Sequence, residues 1–207
     1  MQTLQDPSSE SLFGTDQFFS NFASDHSWEP GWLADHRSEA WEKFIKHENS
    51  GIKDENWRFS PKHLFNLDNT LRLSSSKDLV QLSALKSNKA LFQNLDKMIL
   101  DSPDILSNIT EHVGPNLGAI QTYHLTTALA DNGFYLSTPK GAEISEPFIV
   151  EHKTPEHEGI TFERNIIHLA PFSSAMVIEF INSDDTTSQG SASSTLNITL
   201  EEGAKLV

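Results

Sequence analysis

The 207-residue chain contains no cysteine. That excludes disulfides, a thiol nucleophile, thiolate zinc sites and cysteine-held iron–sulfur clusters within it. Basic residues are scarce: 15 Lys and Arg stand against 29 Asp and Glu, for a formal charge of -14. Nucleic acids and anionic membranes both call for a basic face, so neither is expected as a partner. Long apolar runs are lacking too. Stretches such as Ala175-Met176-Val177-Ile178 fall far short of a bilayer span. The opening MQTLQDPSSESLFG has neither the basic nor the apolar segment of a secretory signal, which predicts a soluble, cytoplasmic protein. The sequons at Asn108 and Asn197 are then chance matches. Nucleophile elbows, phosphate loops and the Gly-x-Gly-x-x-Gly pattern are all missing. Nothing in the residues argues for catalysis, and no catalytic, cofactor-binding or metal residue is assigned.

What is present divides into two textures. Apolar residues make up 37% of the chain, enough for a real core. Residues 1–14 are polar and read as a loose terminus. Residues 15–132 carry helical periodicity and read as a helical domain. Phe18, Phe19 and Phe22 sit at helical spacing. Arg37, Ala40, Trp41, Phe44 and Ile45 recur as one face of an amphipathic helix, with Asp35 to cap its start and Gly51 past its end. Leu79, Val80 and Leu82 predict a short helix, and Leu91, Phe92, Leu95, Met98 and Ile99 a clearer one. Ser102-Pro103-Asp104 is a helix start, running through Ile105, Leu106 and Ile109 to a stop at Gly114. Leu117, Ile120, His124 and Ala128 predict a last helix.

From Gly133 to Val207 the pattern turns to strands: Phe134-Tyr135-Leu136, Pro147–Val150, Ile160–Phe162 with Ile166-Ile167, and Met176–Ile178 with Phe180-Ile181. Leu196-Asn197-Ile198-Thr199-Leu200 alternates, apolar in and polar out. Residues 182–194 read as an exposed loop rich in Ser, Thr, Asp and Gly. A weak echo recurs at Gly141-Ala142-Glu143-Ile144, Ser173-Ser174-Ala175-Met176 and Gly203-Ala204-Lys205-Leu206, at spacings of 32 and then 30. On spacing alone a β-solenoid and an antiparallel sandwich with similar turns fit equally well. If it is a solenoid, ending on a strand just begun at Leu206-Val207 reads as truncation.

Two blocks of residues resemble one family. Trp32-Leu33, Arg37, Ala40, Phe44, Gly51 and Glu55-Asn56-Trp57-Arg58-Phe59-Ser60 form the first. The second begins with Leu125–Leu129, Gly133–Leu136, Pro139-Lys140-Gly141, Ile144 and Pro147. It continues with Arg164–Ile167, Val177–Glu179, Leu196–Leu200 and Gly203-Ala204. Together they resemble the SufD branch of the SufB/SufD family of the SUF iron–sulfur cluster assembly system, across most of residues 16–207. One departure is a shorter insert at Ile52-Lys53. The resemblance implies an α+β chain: a helical N-terminal domain, then the first coils of a right-handed parallel β-helix. It implies a non-enzymatic scaffold that pairs with SufB and engages the SufC ATPase. Family members are roughly twice this length, so an N-terminal fragment is expected, without the assembly-site and ATPase-docking regions. No cofactor is expected in this part, and the exposed β-helix end could self-associate.

Histidine supplies the main alternative. His152, His157 and His168 could serve a metal-dependent β-barrel or β-helix enzyme, and a stand-alone solenoid binding module is a further option. His152 and His157 sit beside Glu151, Glu156 and Glu158, but their spacing matches no mononuclear motif, and a solvated polar turn around Pro155 is the plainer reading. His168, beside Leu169, reads as a hydrogen-bonded inner-face residue. Tyr123-His124 reads as packing at the domain junction. Trp57-Arg58 could be a recognition pair; an anchoring role is the simpler account. Trp28, Trp32 and Trp41 read as core.

Overall fold

A computed structural model describes residues 15–46, 72–74, 79–84, 90–107, 120–155, 159–183 and 190–207. The chain is mixed α+β, and its described strands form no closed barrel.

Two helices open it. α1 (Asp16–Asp25) starts where the Thr15 side chain accepts a hydrogen bond from Phe18 N. α2 (Gly31–Lys46) buries Leu33, Arg37, Ala40, Trp41 and Phe44. The predicted stripe is there, but Ile45 at its edge is exposed. Asp35 is not the cap. It lies inside the helix, because the Pro30 carbonyl already accepts from Leu33 N and Ala34 N. Phe19 stacks on Trp41 at 4.8 Å, which ties α1 to α2. Trp41 is core, whereas Trp28 is 40% exposed.

The next elements correct the helical reading of residues 79–94 and keep it for Leu95, Met98 and Ile99. β1 (Arg72–Leu73), β2 (Val80–Ala84) and β3 (Leu91–Asn94) are strands. Leu79 and Leu82 are at helical spacing, but Val80 and Leu82, two apart, share a face only on a strand. Pairing decides the matter: β2 runs antiparallel to β5 (Phe148–Lys153), and β3 antiparallel to β4 (Phe134–Thr138). Helix begins only at α3 (Leu95–Asp101) and resumes at α4 (Pro103–Ser107), where Pro103 holds the first position as predicted. Ile109, Gly114 and Leu117 lie outside the described residues. α5 (Ile120–Leu129) is the predicted last helix.

Strands follow in parallel registers. β6 (Gly159–Leu169) is one unbroken strand across both predicted pieces. β4 pairs with it parallel, Tyr135 beside Ile166, and β9 (Ser191–Leu200) pairs on its other edge, Ile166 beside Asn197. Partners are thus 31 residues apart. β5 pairs parallel with β8 (Val177–Asn182), and β7 (Ser174–Ala175) with β10 (Lys205–Leu206). β9 begins at Ser191, inside the stretch read as loop.

Corners stack as well. Gly141, Phe172 and Gly203 all have left-handed backbones, with φ of 70°, 59° and 68°. Gly141 N donates to Pro171 O, and Phe172 N donates to Glu202 O. Glu143 bridges to Ser174, and Ser174 pairs with Lys205. At these corners and along β4, β6 and β9 the repeat is therefore 31, not 32 and 30, while β5 and β8 pair at an offset of 29. The middle corner is Phe172, one residue before the Ser173 that the sequence echo picks out.

β6 is covered on both faces. Ile160, Phe162 and Ile166 point to the helices: the first two join Trp41, Phe44 and Leu125, and the third joins Leu33, Met98 and Leu106. Ile167 and Leu169 point the other way, into a core with Phe134, Leu136, Phe148 and Val150. The strand is buried from Gly159 to Ile167, polar residues included.

Candidate functional site

The inner face of β6 carries Glu163, and β5 turns His152 toward it. His152 Nδ1 lies 2.7 Å from Glu163 Oε2, and the two side chains are 10% and 1% exposed. Glu179 of β8 stands behind, 3.8 Å from His152 Nε2. Burial alone would lower the pKa of His152. The hydrogen bond and charge of Glu163, with help from Glu179, overcome that and hold it above its ordinary value. Glu163 Oε1 is buried without a hydrogen-bond partner. His152 is thus no part of a solvated turn; the ladder with β2 and β8 pulls it inside. Further polar links tie successive layers. Asn165 Oδ1 accepts from Phe134 N while its Nδ2 donates to Ser194. The Thr138 and Ser173 hydroxyls lie 2.7 Å apart.

His168 sits elsewhere. Its neighbours Ile167 and Leu169 point into the core, so it faces outward, and its Nε2 bonds Glu201 at 2.7 Å in a partly solvated position. It is hydrogen-bonded as predicted, but not on the inner face. His152 and His168 share no partner, and His157 lies outside the described residues, as do Trp57 and Arg58. Among the described residues no group of three or more His, Asp and Glu side chains is placed to hold a metal ion. Tyr123 and His124 stand edge to face on α5.

The far end of the parallel ladders is open. Among the described residues β8, β9 and β10 each pair on one edge only. Leu196, Ile198 and Leu200 continue the inner file of Asn165, Ile167 and Leu169 in register, yet they are 43%, 48% and 48% exposed. β9 alternates, but against the apolar-in expectation Leu196, Ile198 and Leu200 are exposed and Asn197 and Thr199 the more covered, because among the described residues nothing is stacked over the apolar side. Such an end can accept a further strand on each edge and bury an apolar row beneath it.

A second charged group lies under the helices. Arg37 grips Glu29 through two bonds of 2.7 Å and donates to Ala128 O at 3.1 Å. This locks α2 to the segment before it and to the end of α5. Sequence reasoning placed Arg37 on the buried face but missed Glu29, since the pair forms across the turn into α2. Glu163 was missed for a related reason: only the β5–β6 arrangement brings it to His152.

No family model matches the chain, and no curated protein matches it significantly. Among the described residues no helix is long and apolar enough to cross a membrane.

Proposed function

We propose that the chain is a SufD-like scaffold segment of the SUF iron–sulfur assembly machinery: a helical N-terminal part on the first coils of a right-handed parallel β-helix. The observation that carries the reading is the 31-residue repeat, which pairs β4, β6 and β9 in register and stacks three left-handed corners. A coil of that length buries its inner file only against the next coil, as a solenoid does. Support also comes from where the family-like residues fall. Leu33, Arg37, Ala40 and Phe44 are buried, and Gly133, Gly141 and Gly203 hold positive φ.

In this reading the chain's work is shape. Helices α2 and α5 brace β6 on one side, and the open edges of β8, β9 and β10 take a further coil or a partner's strand. SufB-like and SufC-like proteins are the partners, the cluster is cargo, and the setting is cytoplasmic. The segment supplies no thiolate of its own, since it has no cysteine. The test is to tag the gene at its own locus and purify the product. Recovery of SufB-type and SufC-type subunits is expected, with iron–sulfur enzymes losing activity when the gene is deleted. A product that brings down neither subunit, in a strain whose iron–sulfur enzymes are unaffected by deletion, overturns the proposal.

A further inference from the structure

His152 meets a carboxylate at each ring nitrogen. Nδ1 lies 2.7 Å from Glu163 Oε2 on β6, and Nε2 lies 3.8 Å from Glu179 Oε1 on β8. The imidazole side chain is 10% exposed, so little water reaches it. Among the described residues the charged groups that act on it are these two. β4 offers only the Phe134 ring, 6.4 Å away between centroids, and β2 places Val80 opposite.

The two contacts fix where the titrating proton sits. A carboxylate only accepts, so Nδ1 carries a proton in both charge states of the ring. The proton that comes and goes is the one on Nε2, in front of Glu179. With it, the imidazolium donates toward both carboxylates. Without it, a bare nitrogen lone pair faces a negative oxygen. Burial opposes the charged ring, but the hydrogen bond and charge of Glu163, with help from Glu179, hold the pKa above its ordinary value.

The Nε2 contact joins the ring to an edge. Among the described residues β8 pairs only with β5, and no residue from Val177 to Asn182 is buried. Glu163 sits instead on β6, which has β4 on one side and β9 on the other. Loss of the Nε2 proton therefore leaves the Glu163 contact in place and acts on β8.

We propose that the Nε2 proton of His152 is a latch on β8: present, it fastens this edge strand to the inner face through Glu179, and absent, it lets the strand fray. The latch stands on these contacts alone and goes beyond the family reading. Because the folded pKa is raised, the latch is complete below the unfolded value near 6.5 and is lost as pH rises through the folded pKa.

Hydrogen exchange of the whole chain, read by mass spectrometry from about pH 5.5 to 8.5 and corrected for the intrinsic rate at each pH, tests this. Protection of residues 177–182, relative to residues 134–138 of β4, should fall about two- to fivefold as pH rises, the range of a part-exposed ion pair. The ratio to β4 removes any change in global stability. Glu179→Gln should abolish the fall, because its amide accepts from an Nε2–H and donates to a bare Nε2. A ratio in the wild type that stays constant or rises with pH overturns the inference without any variant. So does a Glu179→Gln chain that keeps the wild-type fall.

Discussion

Replacing Glu163 with Gln should reverse the pH dependence that His152 gives the fold. In the wild type the folded pKa of His152 is raised, so the folded chain holds its proton more tightly than the unfolded chain does. Its contribution to stability is complete below the unfolded value near 6.5 and is lost as pH rises through the folded pKa. In Glu163→Gln the hydrogen-bonded carboxylate is gone. Burial, the largest single influence on His152, then outweighs the more distant Glu179, and the folded pKa drops below the unfolded one. The neutral imidazole is now the favoured form. Stability becomes complete above pH 6.5 and is lost as pH falls below it.

The size is bounded by one proton. A fully coupled histidine changes stability by at most about 1.4 kcal/mol per pH unit, or about 3–6 °C in Tm for a chain of this length. The pair itself is buried, so its loss at pH 7 should cost about 1.5–3 kcal/mol as a charged hydrogen bond. Melts followed by circular dichroism from pH 5 to 8, taken as wild type minus variant, isolate the effect, because His36 and the exposed histidines contribute to both. In a His152→Asn background the same Glu163 change should leave the slope alone. Parallel wild-type and Glu163→Gln profiles would refute the assignment of the raised pKa to this carboxylate.

Gly133 should not tolerate even alanine. At its φ of 142° an added Cβ would lie 1.9 Å from the backbone oxygen of Arg164, so a strand of the ladder must move. A loss above about 3 kcal/mol in urea unfolding is expected, and a loss under about 1 kcal/mol would mean that β4 and β6 are not so closely apposed. At the open end, Ile198→Thr should cost under about 1 kcal/mol, since the side chain is half exposed, while weakening self-association in sedimentation velocity. A folded variant that associates as the parent does would show that this row is not the contact.

Legibility in the sequence followed the number of faces each element buries. α2 buries one stripe, so Arg37, Ala40, Trp41 and Phe44 stood out at helical spacing. Short elements gave weaker signals. Leu91 and Phe92 run into Leu95, Met98 and Ile99 without a breaker, and only the pairing of β3 with β4 separates strand from helix at Asn94. β6 is covered on both sides, so alternation there carries no label. Glu163 and Asn165 look like surface residues in the sequence, yet they lie on the inner face, and Arg164 between them lies under the helices.

The 31-residue repeat was half visible for a local reason. Two of its corners use glycine, which marks a left-handed turn, while the third uses Phe172, whose ring packs over the glycine below it. An added Cβ at Gly203 would fall 2.6 Å from Phe172 Cδ1, so the bulky corner needs a bare one beside it. The same logic governs the candidate sites. His152 was visible because histidine is chemically conspicuous. Its carboxylate became meaningful only once neighbouring strands fixed which charges have partners. A charge's role in this chain is set by the layer next to it, and those layers are separated by 11 residues for His152 and Glu163 and by 91 for Arg37 and Ala128.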